Sequence, residues 1–305
     1  MSEPLLRHRA EALYTRLQDE ICEALERLDG AARFARDPWE RAEGGGGLTR
    51  VIADGDVLEK GAVNLSTVHG PAPKQLVEHL QVEAKEFFAT GISMIFHPRN
   101  PHAPTMHANL RYFETDGGVA WFGGGCDLTP YYLYEEDARH FHETVAASCG
   151  RHAVADYPAW KAWCDRYFHL THRGEARGVG GVFFDHVRDD LEAVLTLQED
   201  LGRSLMPAYA PIVAGRKDAP VTPEQERWHL QRRGRYVEFN LIHDRGTRFG
   251  LQTGGRLESI LVSMPPRVRW DYCAEPAEGS PEHTLLSLLR GAPREWTRLD
   301  GARFP

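Results

Sequence analysis

With 305 residues, of which 42% are hydrophobic and 26% charged, the sequence has ordinary globular composition, which excludes a disordered or fibrous chain. Lys and Arg total 36 against 44 Asp and Glu, a formal net charge of -8 that argues against a general affinity for nucleic acid or an anionic membrane. No apolar run approaches the roughly 20 residues of a membrane span, so no integral membrane association is expected.

Met1-Ser2-Glu3-Pro4 leads into Arg- and Glu-rich sequence with no apolar signal core. The cysteines Cys22, Cys126, Cys149, Cys164 and Cys273 are scattered and form no Cys-x-x-Cys pair, which predicts reduced thiols in a cytoplasmic protein. Leu6, Leu13, Leu17, Ile21, Leu25 and Leu28 recur at helical spacing and predict an amphipathic helix over 5–28. Gly44 to Gly47 reads as a flexible run outside the core, and it lacks the Lys-Ser/Thr of a phosphate loop. Residues 48–60 predict a hairpin around Asp54-Gly55-Asp56, and 74–89 a helix. Strands are expected at 91–97 and 105–114, joined by a stiff connection holding Pro98, Pro101 and Pro104. A third strand, Val119 to Phe122, is expected to end in a turn at Gly123-Gly124-Gly125. Helices are predicted at 134–149, 157–172, 189–214 and 222–232, strands at 235–242, 247–253 and 267–272, and short helices at 256–263 and 282–290. Arg232-Arg233-Gly234-Arg235 reads as a solvated helix end. With no internal repeat and no linker, the chain is expected to be a single α/β domain of the α+β type over 1–305, with a mainly antiparallel sheet and covering helices.

Side chains alternate between the faces of a strand. In the 105–113 strand Met106, Ala108, Leu110 and Tyr112 form an apolar face, whereas Thr105, His107, Asn109, Arg111 and Phe113 form the other. In the strand before it, Ser93, Ile95 and His97 share a face. If the two polar faces line one cleft, Ser93, His97, His107, Asn109 and Arg111 supply an acid/base group, hydrogen-bond donors and a carboxylate clamp; a solvated sheet face is the alternative. Helical periodicity selects His142 over His140 as inward-facing and aligns His172 with Trp160, Cys164 and Phe168. Either histidine alone is more simply a satisfied core residue, but four in one cleft would suit a metal. Gly123-Gly124-Gly125-Cys126-Asp127 sets a carboxylate beside bare backbone that a flat ligand can approach, and Thr253-Gly254-Gly255-Arg256 repeats this with a guanidinium; plain turns are the alternative. Dinucleotide-binding, Walker and metalloprotease motifs are absent.

Ile92-Ser93-Met94-Ile95-Phe96-His97-Pro98-Arg99-Asn100-Pro101, Met106 to Glu114, Trp121 to Pro130, Arg177 to Asp185, Gly234 to Leu241 and Gln252 to Arg256 together resemble the oxygen-dependent coproporphyrinogen III oxidase family, in register from about residue 10 to 290. The resemblance implies a large, flat, antiparallel sheet flanked by helices. It implies oxidative decarboxylation of two propionates of coproporphyrinogen III to vinyl groups, with dioxygen as co-substrate and no flavin, nicotinamide or haem. It also implies a homodimer formed through a segment near 236–271. Substrate contacts fall on Ser93, on Asn109, Leu110 and Arg111, and on Gly254, Gly255 and Arg256. The catalytic set is His107 as proton donor, Asp127 as the acceptor for pyrrole N–H groups, and Arg111 as a clamp. The ligands of a divalent metal, whose identity and necessity stay open, fall on His97, His107, His142 and His172. Two rival readings stand beside this one: a non-catalytic tetrapyrrole-binding protein, and a His-ligated metal oxygenase of another small acid. The stretch Pro71 to Thr90, at the expected lid, and His243 depart from the usual family sequence.

Overall fold

The computed structural model describes residues 4–72, 84–252 and 255–297, apart from the side chain of Phe249. The chain opens with α1 (Leu6–Asp29), whose Leu13, Leu17, Ile21 and Leu25 are buried as their spacing predicts. Gly30, at φ 84°, ends it by donating its N–H to the Glu26 carbonyl, a conformation that suits glycine. Strands β1 (Ala35–Glu40), β2 (Gly45–Ala53), β3 (Leu58–Pro71), β4 (Glu86–Pro98), β5 (Thr105–Thr115) and β6 (Ala120–Thr129) follow as an antiparallel meander. Helices α2 (Glu135–Gly150) and α3 (Tyr157–Tyr167), the small hairpin β7 (His169–Leu170) and β8 (Glu175–Ala176), and β9 (Gly180–Val187) come next. Strand β9 pairs with β6 and completes a seven-stranded sheet in the order β1-β2-β3-β4-β5-β6-β9. Then come α4 (Leu191–Arg216), α5 (Pro223–Glu238), a π-helical turn (Phe239–His243), α6 (Arg245–Gln252), α7 (Leu257–Leu261) and α8 (Pro281–Arg290).

The main core lies between one sheet face and α1, α2 and α4, where Ile92, Met94, Phe96, Met106, Ala108, Leu110 and Tyr112 meet Leu17, Phe141, Leu201 and Tyr209. Gln18 of α1 is buried there and donates its amide to the carbonyls of Leu48 and Val63, locking helix to sheet while satisfying two backbone acceptors. Part of the opposite face is covered by α5 and the segment after α7, through Ala62, Ile95, Tyr236 and Val262. Thus helices lie on both faces of the antiparallel sheet, as expected.

Several local expectations fail for identifiable reasons. Gly45–Gly47 belong to β2 rather than to a free loop: a Cβ on Gly47 would stand 2.5 Å from the Trp39 indole and 2.3 Å from the Leu65 carbonyl oxygen, so close strand packing, not flexibility, requires glycine. Gly123–Gly125 likewise run through the middle of β6 instead of ending it. Strands β1 and β9 are not among the predicted elements. Of the helix predicted at 74–89, residues 74–83 lie outside the described residues and 86–89 open β4. Residues 235–242 are helical and π-helical, 247–252 are helical, and 267–270 have no regular structure. The buried stripe of α5 includes Trp228, His229, Arg232, Arg233 and Tyr236, so charged residues occupy positions where helical periodicity looks for apolar ones. Arg233 is fully buried against Glu59, and Arg232 is buried with Nη1 donating 2.6 Å to Glu175; neither is a solvated helix end.

Candidate active site

Direct cross-strand partners point to the same side of a sheet. The registers therefore align Asp37, Thr49, Asn64, Ser93, Asn109 and Gly125 in one row across β1 to β6, on the face away from the main core. The next row on that face contains Ile95, His107, Asp127 and Gly181, and on the other side of the polar row lie Gly91, Arg111 and Gly123. Ser93, His107, Asn109 and Arg111 thus share a face, as the alternation predicts, and Asp127 joins them because β6 runs on through the glycines instead of turning there. Leu110 does not: its side chain is in the main core behind the sheet.

At one end of the polar row, Arg111 Nη1 donates to Asn109 Oδ1 at 2.7 Å, and its Nη2 lies 2.9 Å from Asp185 Oδ2. Bare backbone beneath it is required, since a Cβ on Gly123 would stand 2.6 Å from Asp185 Oδ1 and 3.0 Å from Arg111 Nε. At the other end, Arg256 Nη2 donates to Asp37 Oδ2 at 2.6 Å and Nη1 to Ser259 Oγ at 3.3 Å. Ser259 is itself seated on the row, its hydroxyl 2.9 Å from Thr49 Oγ1 and its carbonyl accepting from Asn64 Nδ2 at 3.0 Å. Gly255 donates its N–H to the Gly250 carbonyl at 2.8 Å, while Gly254 lies outside the described residues. Strands β1 and β5, four apart, put these ends about 19 Å from one another at ordinary strand spacing. Both guanidinium groups are half-buried and rest on carboxylates that an incoming carboxylate can replace.

Asp127 differs from the expected open carboxylate. It is 1% exposed, and Arg177 Nη2 lies 2.7 and 2.8 Å from its two oxygens. His107 Nδ1 stands 2.9 Å from Oδ1. Burial alone would raise this carboxyl, but the Arg177 charge and the hydrogen bonds of His107 and Arg177 outweigh it and hold Asp127 below the usual carboxylate range, so it is ionised. An ionised carboxylate only accepts, so Nδ1 of His107 donates, which leaves Nε2 for the cleft. The His107 ring also meets Phe168 edge-on, with centroids 5.8 Å apart.

The four histidines assigned to a metal are not gathered in one cleft. His97 is sealed under α5, with Nδ1 3.2 Å from Thr105 Oγ1 and Nε2 2.9 Å from the Ser263 carbonyl. His142 is inward, as predicted, but on the main-core side, bound to Tyr157 Oη at 2.9 Å and to the Val179 carbonyl at 3.0 Å. His172 is not on α3, which ends at Tyr167; it stands between β7 and β8 and contacts His243 and Glu238 at 2.8 Å each. No group of three His, Cys, Asp or Glu side chains able to hold a metal occurs among the described residues. The set does not fit one shared ion.

Sequence reading missed Arg177, Asp185, Asp37 and Asn64. The available signal for Arg177 was a charge set in the glycine-rich, apolar run Arg177-Gly178-Val179-Gly180-Gly181-Val182, where only a paired charge is readily buried.

A polar row with a guanidinium at either end and a carboxylate-backed imidazole beside it is an arrangement able to hold a flat ligand bearing several carboxylates. The profile described as Coproporphyrinogen III oxidase matches residues 9–296. Oxygen-dependent coproporphyrinogen-III oxidase, chloroplastic, of Glycine max is 48% identical over 311 aligned positions, covering 97% of this chain and 80% of that protein. Coproporphyrinogen-III oxidase 1, chloroplastic, of Arabidopsis thaliana is 46% identical with the same coverage. The chain belongs to the coproporphyrinogen III oxidase family.

Proposed function

We propose that this chain is an oxidoreductase that converts two propionates of coproporphyrinogen III to vinyl groups, giving protoporphyrinogen IX in haem biosynthesis with dioxygen as acceptor. The observation that carries the reading is the polar row ended by Arg111 and Arg256, in a chain of this family. Propionates take the places of Asp185 and Asp37 on the two guanidinium groups, Ser93 and Asn109 lie under the ring, and His107 moves a proton at the cleft. For each propionate, the β-carbon gives up a hydrogen with its electron pair. The carboxylate leaves as carbon dioxide, and its bonding pair closes the new double bond. Dioxygen takes that hydride equivalent and a proton and leaves as hydrogen peroxide. The substrate supplies both electrons, so the reaction requires no flavin or nicotinamide. Asp127 holds His107 in place rather than touching a pyrrole N–H.

The chain acts as one catalytic unit. A homodimer is supported by Leu241, Ile242, Leu257, Leu261 and Trp270, apolar side chains 40–53% exposed within the expected 236–271 segment. Five free cysteines, four of them buried, support a reducing compartment, read here as the cytoplasm. Among the described residues no helix is long and apolar enough to cross a membrane.

Parallel aerobic and anaerobic incubations with coproporphyrinogen III, followed by product mass and carbon dioxide release, test the function. Divinyl product formed only with oxygen supports it. Bound substrate with intact propionates would point to a carrier, and oxidation of another acid alone to a different oxygenase; either overturns it.

A further inference from the structure

We infer that Arg177 and Asn240 are positioning residues that fix which nitrogen of His107 faces the cleft. Arg177 is 2% exposed and is hydrogen-bonded to His107's partner Asp127, its Nη2 spanning both carboxylate oxygens. Its Nη1 donates to Asn240 Oδ1 at 3.0 Å. The guanidinium carbon lies 4.0 Å from the Phe168 ring centre, 4.7 Å from that of Phe239 and 4.8 Å from that of Tyr236. Phe239 and Asn240 come from the π-helical turn, whose extra residue per turn re-aims side chains and which recurs at functional sites.

A buried ion pair is poor evidence of a stability role, because well-packed apolar residues often serve equally well. What the aromatic box and Asn240 accomplish is directional. Arg177 occupies one side of both Asp127 oxygens, so Oδ1 presents His107 with one remaining direction, and Asp127 accepts the Nδ1 proton. Nε2 is then the nitrogen that meets substrate. This role at the cleft rests on the function proposed above.

The test uses full-length Arg177→Met, Arg177→Lys and Asn240→Leu. With coproporphyrinogen III and saturating oxygen, kcat falls about 100-fold in Arg177→Met and about tenfold in Asn240→Leu, as for other supports of a reacting group. KM stays within about twofold because Arg111 and Arg256 keep the propionate contacts, and Arg177→Lys regains part of the lost kcat. Without substrate, the ¹⁵N spectrum of histidine-labelled protein, with His107 assigned by His107→Gln, shows the Nδ1–H form of the neutral ring in wild type and a mixture in Arg177→Met and Asn240→Leu. An unchanged His107 signal in the folded variants, or a loss carried by KM, overturns the inference. Should Arg177→Met fail to fold, Asn240→Leu decides, since it keeps the ion pair. An inactive wild type with the expected ¹⁵N pattern defeats the proposed reaction and leaves the positioning role standing.

Discussion

Asp127→Asn removes one charge from a pair whose partners are 1% and 2% exposed, so the Arg177 cation stays buried without its counter-ion. Breaking a buried pair in this way costs about 3–5 kcal/mol. The aromatic rings around Arg177 and its bond to Asn240 remain, and the new amide can still accept one hydrogen bond, which places the loss near about 3 kcal/mol. Against a typical total of about 5–15 kcal/mol, this leaves the protein folded at room temperature but melting roughly 4–6 °C lower. Wild-type Asp127 has a folded-state value below the ordinary 3.8, so its stabilisation is present above that value and is lost as pH falls through the lower folded one. The gap between wild type and Asp127→Asn is therefore constant above about pH 5 and closes in stronger acid. Urea titrations at several pH values measure it. A loss below about 1 kcal/mol near neutrality would refute the buried-pair reasoning, and full turnover by the variant would refute the role of Asp127 behind His107.

Arg111→Ala and Arg256→Ala each remove a charge-assisted carboxylate contact; each raises KM for the tetracarboxylate about 10- to 100-fold and moves kcat less, and steady-state kinetics check this. Burial holds His142 neutral down to about pH 3 and lowers His97 and His229 in the same direction, so the unfolded chain binds more protons below pH 6.5. Stability therefore falls on acidification from pH 6.5 towards 3, and a folded His142→Gln protein loses about 1.4 kcal/mol per pH unit of that slope in acid-unfolding curves. Leu257→Asp places a charge among the exposed apolar side chains of the proposed dimer contact and shifts sedimentation towards monomer while leaving the fold intact by circular dichroism.

Much was legible in the sequence wherever one physical signal dominated. The leucine period of α1 and the two-residue alternation of β4 and β5 give those elements and their faces directly, because hydrophobic periodicity follows backbone geometry. The same alternation groups Ser93, His107, Asn109 and Arg111. Charge burial defeats the method: Arg232 and Arg233 lie inward on α5 because Glu175 and Glu59 meet them from distant parts of the chain. His142 shows the other limit, since periodicity selects a buried face but does not say which layer it meets, whereas His172 lies beyond the end of α3, where the helical period no longer applies.

By itself the sequence determined the family, the antiparallel sheet with its helical cover, and the strand face on which chemistry is possible, because these depend on local geometry and long matching blocks. Tertiary structure alone decided that Asp127 belongs to Arg177 and His107, that Arg111 and Arg256 end one polar row, and that the four histidines lie apart. Those relations join residues tens to more than two hundred positions distant, and only strand register and the packing of α5 through α7 bring them together or keep them separate.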